Sequence, residues 1–237
     1  MSTLLLSDLH LPNEASPLRA AFARFLAGPA RQAEAVYILG DLFEYWIGDD
    51  VGMREYATEV GELRMLRHHG VPIFLMHGNR DFVVGRRFAS AAGVELIADP
   101  LKLDLAGAPT LLSHGDIFCT DDRAYQRWRR FSHNKFAQSL FHLLPEAQRQ
   151  RVAGAARSGS KHKPKEIMDV NEEAVRAAFR RYQVSRIIHG HTHRPAEHRY
   201  DIDGRACERV VLADWQPDRL EYLRCDAQGL QRQVLAA

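Results

Sequence analysis

The chain has 237 residues and a mass of 26.9 kDa, with 46% hydrophobic, 26% charged and 9% aromatic residues and a net charge of +2. That is an ordinary globular composition, long enough for a full core, and it excludes a disordered, collagen-like or coiled-coil chain; the charge is too slight to imply nucleic acid by itself. Three cysteines at unrelated spacings, with no Cys-X-X-Cys, speak against a disulfide framework or a thiolate zinc site and point to a reducing cytosol.

The apolar run at 4–6 reads as a strand; it is too short for a signal peptide and lacks a basic flank, so no leader is expected. It ends in Asp8-Leu9-His10. Ser16 and Pro17 give an N-cap and a first-turn proline. Leu18, Ala21, Phe22, Phe25 and Leu26 then share one helical face, and Gly28 closes it. A strand at 36–39 runs into Gly40-Asp41. Met53, Tyr56, Val60, Leu63 and Leu66 predict one helix up to Gly70. A strand at 73–76 is followed by Gly78-Asn79-Arg80-Asp81, and one at 110–112 by His114-Gly115-Asp116. Residues 121–165 carry eleven Lys or Arg against three acids, a net +8 that leaves the remainder at −6. Phe136, Leu140 and Leu143 recur there at helical spacing, which predicts a basic and apolar helical insertion. Asp169 or Asn171, with Glu172 and Glu173, starts a helix through Val175, Phe179 and Tyr182. A strand at 186–188 leads into His189-Gly190-His191-Thr192-His193, and one at 210–212 follows. No apolar stretch approaches the ~20 residues of a spanning helix. Strands alternating with helices predict an α/β (α+β) layered sandwich with mixed sheets.

Five strands thus end in Asp, Asn or His, usually beside glycine. Ligands collect at the carboxyl ends of strands because the loops there converge. Oxygen donors with imidazoles and no thiolate suit Mn²⁺, Fe²⁺ or Zn²⁺ in an open site. Asp8 and His10 are two residues apart, so an extended strand end would aim both to one side; His191 and His193 repeat that spacing. Asp41 can bridge two ions about 3.5–4 Å apart, a clamp for in-line displacement at phosphorus.

Taken singly, most of these motifs read as structure. An Asp-X-His is common, Gly-Asp is usually a turn, and Gly-Asn-Arg-Asp fits a turn equally well. Three imidazoles in five residues rarely serve packing, and the order of all five motifs favours a metal site. His68, His69, His133, His142, His162 and His198 read as surface or cap histidines, and Asp81 and Asp116 as supporting rather than ligating residues.

The ordered set Asp-X-His, Gly-Asp, Gly-Asn-X-Asp, His-Gly-Asp and Gly-His-Thr-His resembles the calcineurin-like metallophosphoesterases. The resemblance implies a four-layer αββα sandwich, a single domain over 1–237 with a helical cap inserted at about 121–165. It implies two Mn²⁺ ions, one on Asp8, His10, Asp41 and His193 and the other on Asp41, Asn79, His114 and His191. Longer strings sharpen it: Gly-Asp-Leu-Phe-Glu-Tyr-Trp-Ile-Gly-Asp-Asp at 40–50, Cys-Thr-Asp-Asp at 119–122 and Ile-Met-Asp-Val-Asn at 167–171. They are similar to the branch of that family that cleaves the diphosphate of UDP-2,3-diacylglucosamine in lipid A synthesis. That branch implies attack of metal-activated water on the α-phosphorus, giving UMP and 2,3-diacylglucosamine 1-phosphate (lipid X). It implies catalytic roles for Asp8, His10, Asp41, Asn79, Arg80 and His114. Substrate contacts would come from Asn79, Arg80, Asp122, Ser160, Lys163 and His191. It also implies a peripheral place on the cytoplasmic side of the inner membrane and no nucleic-acid partner.

Arg80 stands where many members of the wider family carry a His that can protonate an alkoxide. Arginine cannot act as that acid. A phosphate leaving group needs charge stabilisation instead, which a two-pronged guanidinium supplies. The basic, apolar insertion suits both an acylated nucleotide and an anionic membrane surface. Two alternatives remain at this point: a phosphoesterase for a soluble nucleotide or phosphoprotein, and a non-catalytic scaffold or nucleic-acid module using the basic segment.

Overall fold

The computed structural model describes residues 2–161 and 169–236, and for 156–161 the backbone only. In chain order the main elements are β1 (Thr3–Leu6), α1 (Pro17–Ala27), β2 (Ala35–Leu39), α2 (Asp49–Glu55), α3 (Ala57–His68), β3 (Ile73–Met76), α4 (Arg86–Ala92), β4 (Glu95–Ile97), β5 (Leu101–Leu105) and β6 (Ala108–Ser113). Then come α5 (Arg123–Ser132), α6 (Lys135–Leu143), α7 (Glu146–Lys161), α8 (Glu172–Tyr182), β7 (Arg186–His189), β8 (Ala196–Ile202), β9 (Arg205–Val211), β10 (Glu221–Asp226) and β11 (Gly229–Val234). One sheet has the order β11-β10-β1-β2-β3-β4 and the other β5-β6-β7-β9-β8.

The strand sequences are apolar on both faces because both faces are buried. In β1, Leu4 and Leu6 point to Phe22 and Phe25 of α1, while Leu5 points to the second sheet. In β7, Ile187 packs with Phe179 of α8 and Ile188 faces back across the sheets. Between the sheets, Leu5, Leu39 and Met76 meet Leu112, Ile188 and Val210. Outside, α1, α3 and α4 cover the first sheet and α8 covers the second. This is the four-layer αββα sandwich.

Local signals set the helix ends. The Ser16 side chain accepts from the Arg19 amide at 3.3 Å, and Asn171, rather than Asp169, accepts from the Ala174 amide at 3.0 Å. The single helix expected between Met53 and Gly70 is two. At Tyr56 the backbone leaves the helical region (φ −114°, ψ 33°), and its buried hydroxyl donates to the Leu11 carbonyl at 3.0 Å. The ring fills a core of Phe43 and Trp46, and the chain turns to seat it there.

Helices α5 to α7 lie between β6 and α8 in sequence. Arg129 of α5 bonds Asp116 at 2.7 Å and Asp99 at 3.1 Å, both carboxylates buried. Arg149 of α7 grips Asp50 at 2.6 Å and donates to the Ile47 carbonyl at 2.6 Å. Strands β1, β2, β3, β6, β7 and β9 all direct their carboxyl ends to one edge of the sandwich, since each is parallel to its neighbour in that series within its sheet.

Candidate metal centre

At that edge the backbone of the first two loops is zipped together. The Asp8 amide donates to the Gly40 carbonyl at 3.1 Å and the His10 amide to the Asp41 carbonyl at 3.0 Å. The two-residue spacing does not continue an extended strand here. Asp8 and His10 have φ of 55° and 47°, and His191 and His193 have 68° and 54°. The loops turn sharply inward, so left-handed backbone rather than strand alternation aims these side chains. Asp41 has φ 52°. Of the eight non-glycine residues with positive φ among the described residues, these are five. Each such conformation costs on the order of 1–2 kcal/mol, and such outliers gather at functional sites. Gly78 and Gly190 permit the closeness: a Cβ on the first would overlap the Asp41 carboxylate, and on the second Ser7 and Asp8.

The side chains converge. His193 Nε2 stands 3.3 Å from Asp8 Oδ1, and 3.2 Å from His10 Nε2. Asp41 Oδ2 stands 3.9 Å from both His10 Nε2 and His114 Nε2. Asn79 Oδ1 lies 3.0 Å from His114 Nε2 and 2.9 Å from His191 Nδ1. Asp8 with His10 and His193, and Asp8 with Asp41 and His114, form two groups whose ligand atoms are compact enough to hold an ion.

A cation fits this donor set. Asp8 Oδ1 is buried and accepts no hydrogen bond. His114 Nδ1 lies 2.9 Å from the Leu39 carbonyl, to which it can only donate, so in the neutral, metal-binding form of the ring the Nε2 lone pair faces the Asn79 oxygen and Asp41. Lone pairs therefore face lone pairs, an arrangement that a divalent ion resolves. The electrostatics carry the same tension. Burial opposes charge on Asp8, but the His193, His114 and His10 rings outweigh it and hold the carboxyl far below its ordinary range. Burial pushes Asp41 the other way. Burial lowers His10 to about 3 and His191 to about 4. It would lower His114 too, but Asp41, Asp8 and Asp116 raise that ring to about 9.

Supporting carboxylates surround the cluster. Asp81 accepts from the amides of Gly78 and Leu42 at 2.8 Å each and of Asp41 at 3.3 Å, fixing two loops at once. Glu44 lies 3.6 Å from His10 Nδ1 and Asp214 3.6 Å from His193 Nδ1, places from which carboxylates orient ligating rings. Glu44 and Asp214 were not read from the sequence. The Gly-Asp-Leu-Phe-Glu string and an Asp just past the 210–212 strand were the available signals.

Arg80 and Asn79 line a cavity of about 840 Å³ that opens from the cluster, with Trp46, Phe82, Trp128 and Phe141 on its apolar wall. The Arg80 amide donates to Asp41 Oδ1 at 2.8 Å, and its buried Nε has no partner. Tyr125 stacks on His191 at 6.0 Å and donates to Asp116 at 2.5 Å. Asp122 sits at the N-cap of α5, where its carboxylate accepts from the Tyr125 amide at 2.9 Å. The Ser160 side chain, Lys163 and His162 lie outside the described residues. His68, His69 and His142 are exposed, and His133 stacks on Phe82 at 5.7 Å; none of them belongs to the two compact groups.

The calcineurin-like phosphoesterase family matches residues 1–195. The chain is 46% identical over 235 residues to the UDP-2,3-diacylglucosamine hydrolase of Edwardsiella ictaluri, covering 97% of this chain and 90% of that protein. It is 47% identical over 236 residues to the protein of the same name from Salmonella arizonae, covering 94% and 98%. In fold it is similar to a solved archaeal phosphodiesterase, with a TM-score of 0.50 and 12% identity over 99% of this chain and 100% of that one.

Proposed function

The chain belongs to the calcineurin-like phosphoesterases and, within them, to the UDP-2,3-diacylglucosamine hydrolases, and on that premise we propose the substrate, the ions and the residues that act. The reaction is hydrolysis of the diphosphate of UDP-2,3-diacylglucosamine to UMP and 2,3-diacylglucosamine 1-phosphate, with attack at the α-phosphorus. Two Mn²⁺ ions occupy the cluster, one on Asp8, His10, Asp41 and His193, the other on Asp41, Asn79, His114 and His191. The observation that carries this reading is the buried Asp8 Oδ1 with no hydrogen-bond partner, which faces His193 Nε2 at 3.3 Å and His10 Nε2 at 3.9 Å. When bound, such ions lower the pKa of water and neutralise phosphoryl oxygens.

The chain's own residues do the rest. Asn79 and Arg80 project from one loop into the cavity beside the cluster, so the diphosphate spans from the ligands to the guanidinium. Arg80 stabilises charge as the P–O–P bridge opens, and no proton need be delivered to a phosphate leaving group. His114 keeps its proton on Nδ1, held by the Leu39 carbonyl. The apolar wall of Trp46, Phe82, Trp128 and Phe141 accepts acyl chains and excludes water. By the family resemblance Asp122, Ser160 and Lys163 would bind the glucosamine and its phosphate; of their side chains only that of Asp122 lies among the described residues. The whole chain acts as a single domain, with residues 121–165 as its cap.

The cap also docks the enzyme on the cytoplasmic side of the inner membrane. No described helix is long and apolar enough to cross a membrane. On α5 and α6, Phe131, Phe136, Leu140 and Leu143 are 60%, 72%, 51% and 80% exposed, and Arg127, Arg130 and Lys135 are exposed beside them. Aromatic and basic residues on one surface suit an anionic interface.

The test is turnover of UDP-2,3-diacylglucosamine by chelator-treated protein. Activity should vanish with chelation and return with Mn²⁺ better than with Mg²⁺, because imidazoles favour the softer ion. Full turnover in excess chelator would sink the reading.

A further inference from the structure

His189 opens the His-Gly-His-Thr-His run but is not among the ligands. It is fully buried and faces away from the cluster. Its Nδ1 lies 2.9 Å from the Gly190 carbonyl, and its Nε2 lies 3.2 Å from Nη1 of Arg209. A carbonyl only accepts and a guanidinium only donates. The ring is therefore neutral, with its proton on Nδ1, and both nitrogens are used.

Arg209 is a charged residue in the interior, 3% exposed on β9. Its Nε donates to the Tyr200 hydroxyl at 2.9 Å and its Nη2 to Glu172 at 3.2 Å, at the start of α8. The Phe118 ring meets His189 edge-on at 5.7 Å. Burying a guanidinium is expensive unless its donors are satisfied. The ring it supports sits between the two loops that feed imidazoles to one half of the cluster. One is Gly115, which follows His114 and whose Cβ position would fall 2.7 Å from His189 Nδ1; the other is Gly190, which precedes His191. The Gly190 amide in turn donates to the His114 carbonyl at 2.9 Å.

We infer that His189 and Arg209 form a positioning pair behind the centre, which sets the separation of His114 and His191 and so the affinity of the ion those two share. The inference rests on the two-ion reading of the cluster. The pair touches neither ion nor substrate. It acts through the backbone of Gly115 and Gly190, and the consequence is local: the ion on Asn79, His114 and His191 depends on it more than the ion on Asp8, His10 and His193.

The experiment is an EPR titration of Mn²⁺ into metal-free protein, which counts bound ions and gives the Kd of each. The unaltered chain is compared with Arg209→Met, Arg209→Lys and His189→Asn, each checked for folding by circular dichroism and for metal-free Tm. Arg180→Ala, which loses only an exposed ion pair to Asp203, is the control. Loss of an outer partner of a ligand weakens a metal by about 10- to 100-fold. One of the two Kd values should rise by that factor in Arg209→Met, with His189→Asn and Arg209→Lys in between and Arg180→Ala unchanged. A merely structural role would lower Tm and leave both Kd values of the folded protein alone. Folded Arg209→Lys or His189→Asn binding both ions as tightly as the unaltered chain overturns the inference. Equal weakening of both ions overturns it too. An unaltered chain that binds fewer than two ions overturns the two-ion reading instead.

Discussion

In the proposed function, Arg80 decides which bond the site is suited to break. Its unpartnered Nε and its place on the cavity wall beside Asn79 leave the guanidinium available to an anion. Arg80→Ala should lower kcat/KM by roughly 10²- to 10³-fold, the cost of one strong transition-state donor. Arg80→Lys should recover part, since a point charge replaces a fork, and Arg80→His should not rescue. Steady-state kinetics on the acylated substrate reads all three, and rescue by His would mean that a proton donor was needed after all. Hydrolysis in ¹⁸O water should place the label in UMP; label in the sugar 1-phosphate would move the attack to the other phosphorus. Among the histidines, His193→Ala should remove metal and activity, while His198→Ala, half-buried on β8 away from the cluster, should leave both near the unaltered level.

At the scale of elements, α5 is pinned to the sandwich by charge. Arg129 is held by Asp99 and Asp116, and Asp116 also takes the Tyr125 hydroxyl. Breaking a buried pair costs about 3–5 kcal/mol. Arg129→Ala should therefore lower the urea midpoint, with amides of α5 exchanging faster than those of α8 in hydrogen-exchange mass spectrometry. Uniform loss of protection would show that the pair supports the whole fold and not the cap. The same helix ends beside a pH-sensitive contact. Burial first, then Arg129, lowers His133 to about 4 from 6.5. Below 6.5 the unfolded chain takes up a proton that the folded one refuses. This group's contribution is therefore complete above pH 6.5 and is lost as the pH falls towards 4. In metal-free protein, the loss of stability between pH 7 and pH 5 should be smaller for His133→Gln than for the unaltered chain.

The sequence showed these elements unevenly, for physical reasons. The strands that carry ligands are buried on both faces, so their apolar runs stand out. Strands β8, β10 and β11 are amphipathic or lie at sheet edges, and their mixed residues gave no comparable signal. Helix α4 is two turns and ends at Gly93, too short for periodicity to show. The candidate ligands were legible because five Asp, Asn or His motifs each follow a buried apolar run, an order that packing alone does not require. The roles of Asp99, Asp214 and Arg209 were not, because the partners that define them here, Arg129, His193 and His189, lie 30, 21 and 20 residues away and only the fold unites them.

The molecule as a whole is charge-polarised. The segment 121–165 carries +8 and the remainder −6. With exposed Phe136 and Leu143 on the same segment, the proposed docking on an anionic surface would draw on the field and on apolar insertion together. Phe136→Asp with Leu143→Asp should weaken pelleting with vesicles containing anionic lipid. Turnover of detergent-dispersed substrate should change far less, because neither residue lines the cavity. Undiminished pelleting would move the docking surface elsewhere.

The left-handed backbone at Asp8, His10, Asp41, His191 and His193 has a consequence for anyone who engineers this chain. Glycine adopts that conformation freely, and every other residue is strained in it. A library screened only for heat resistance in chelator would therefore enrich glycine at these five places, each change relieving backbone strain while deleting a proposed ligand. Selection for robustness and selection for turnover would pull these positions in opposite directions. A hardened version of this fold has to be sought with the metal present and catalysis as the sieve.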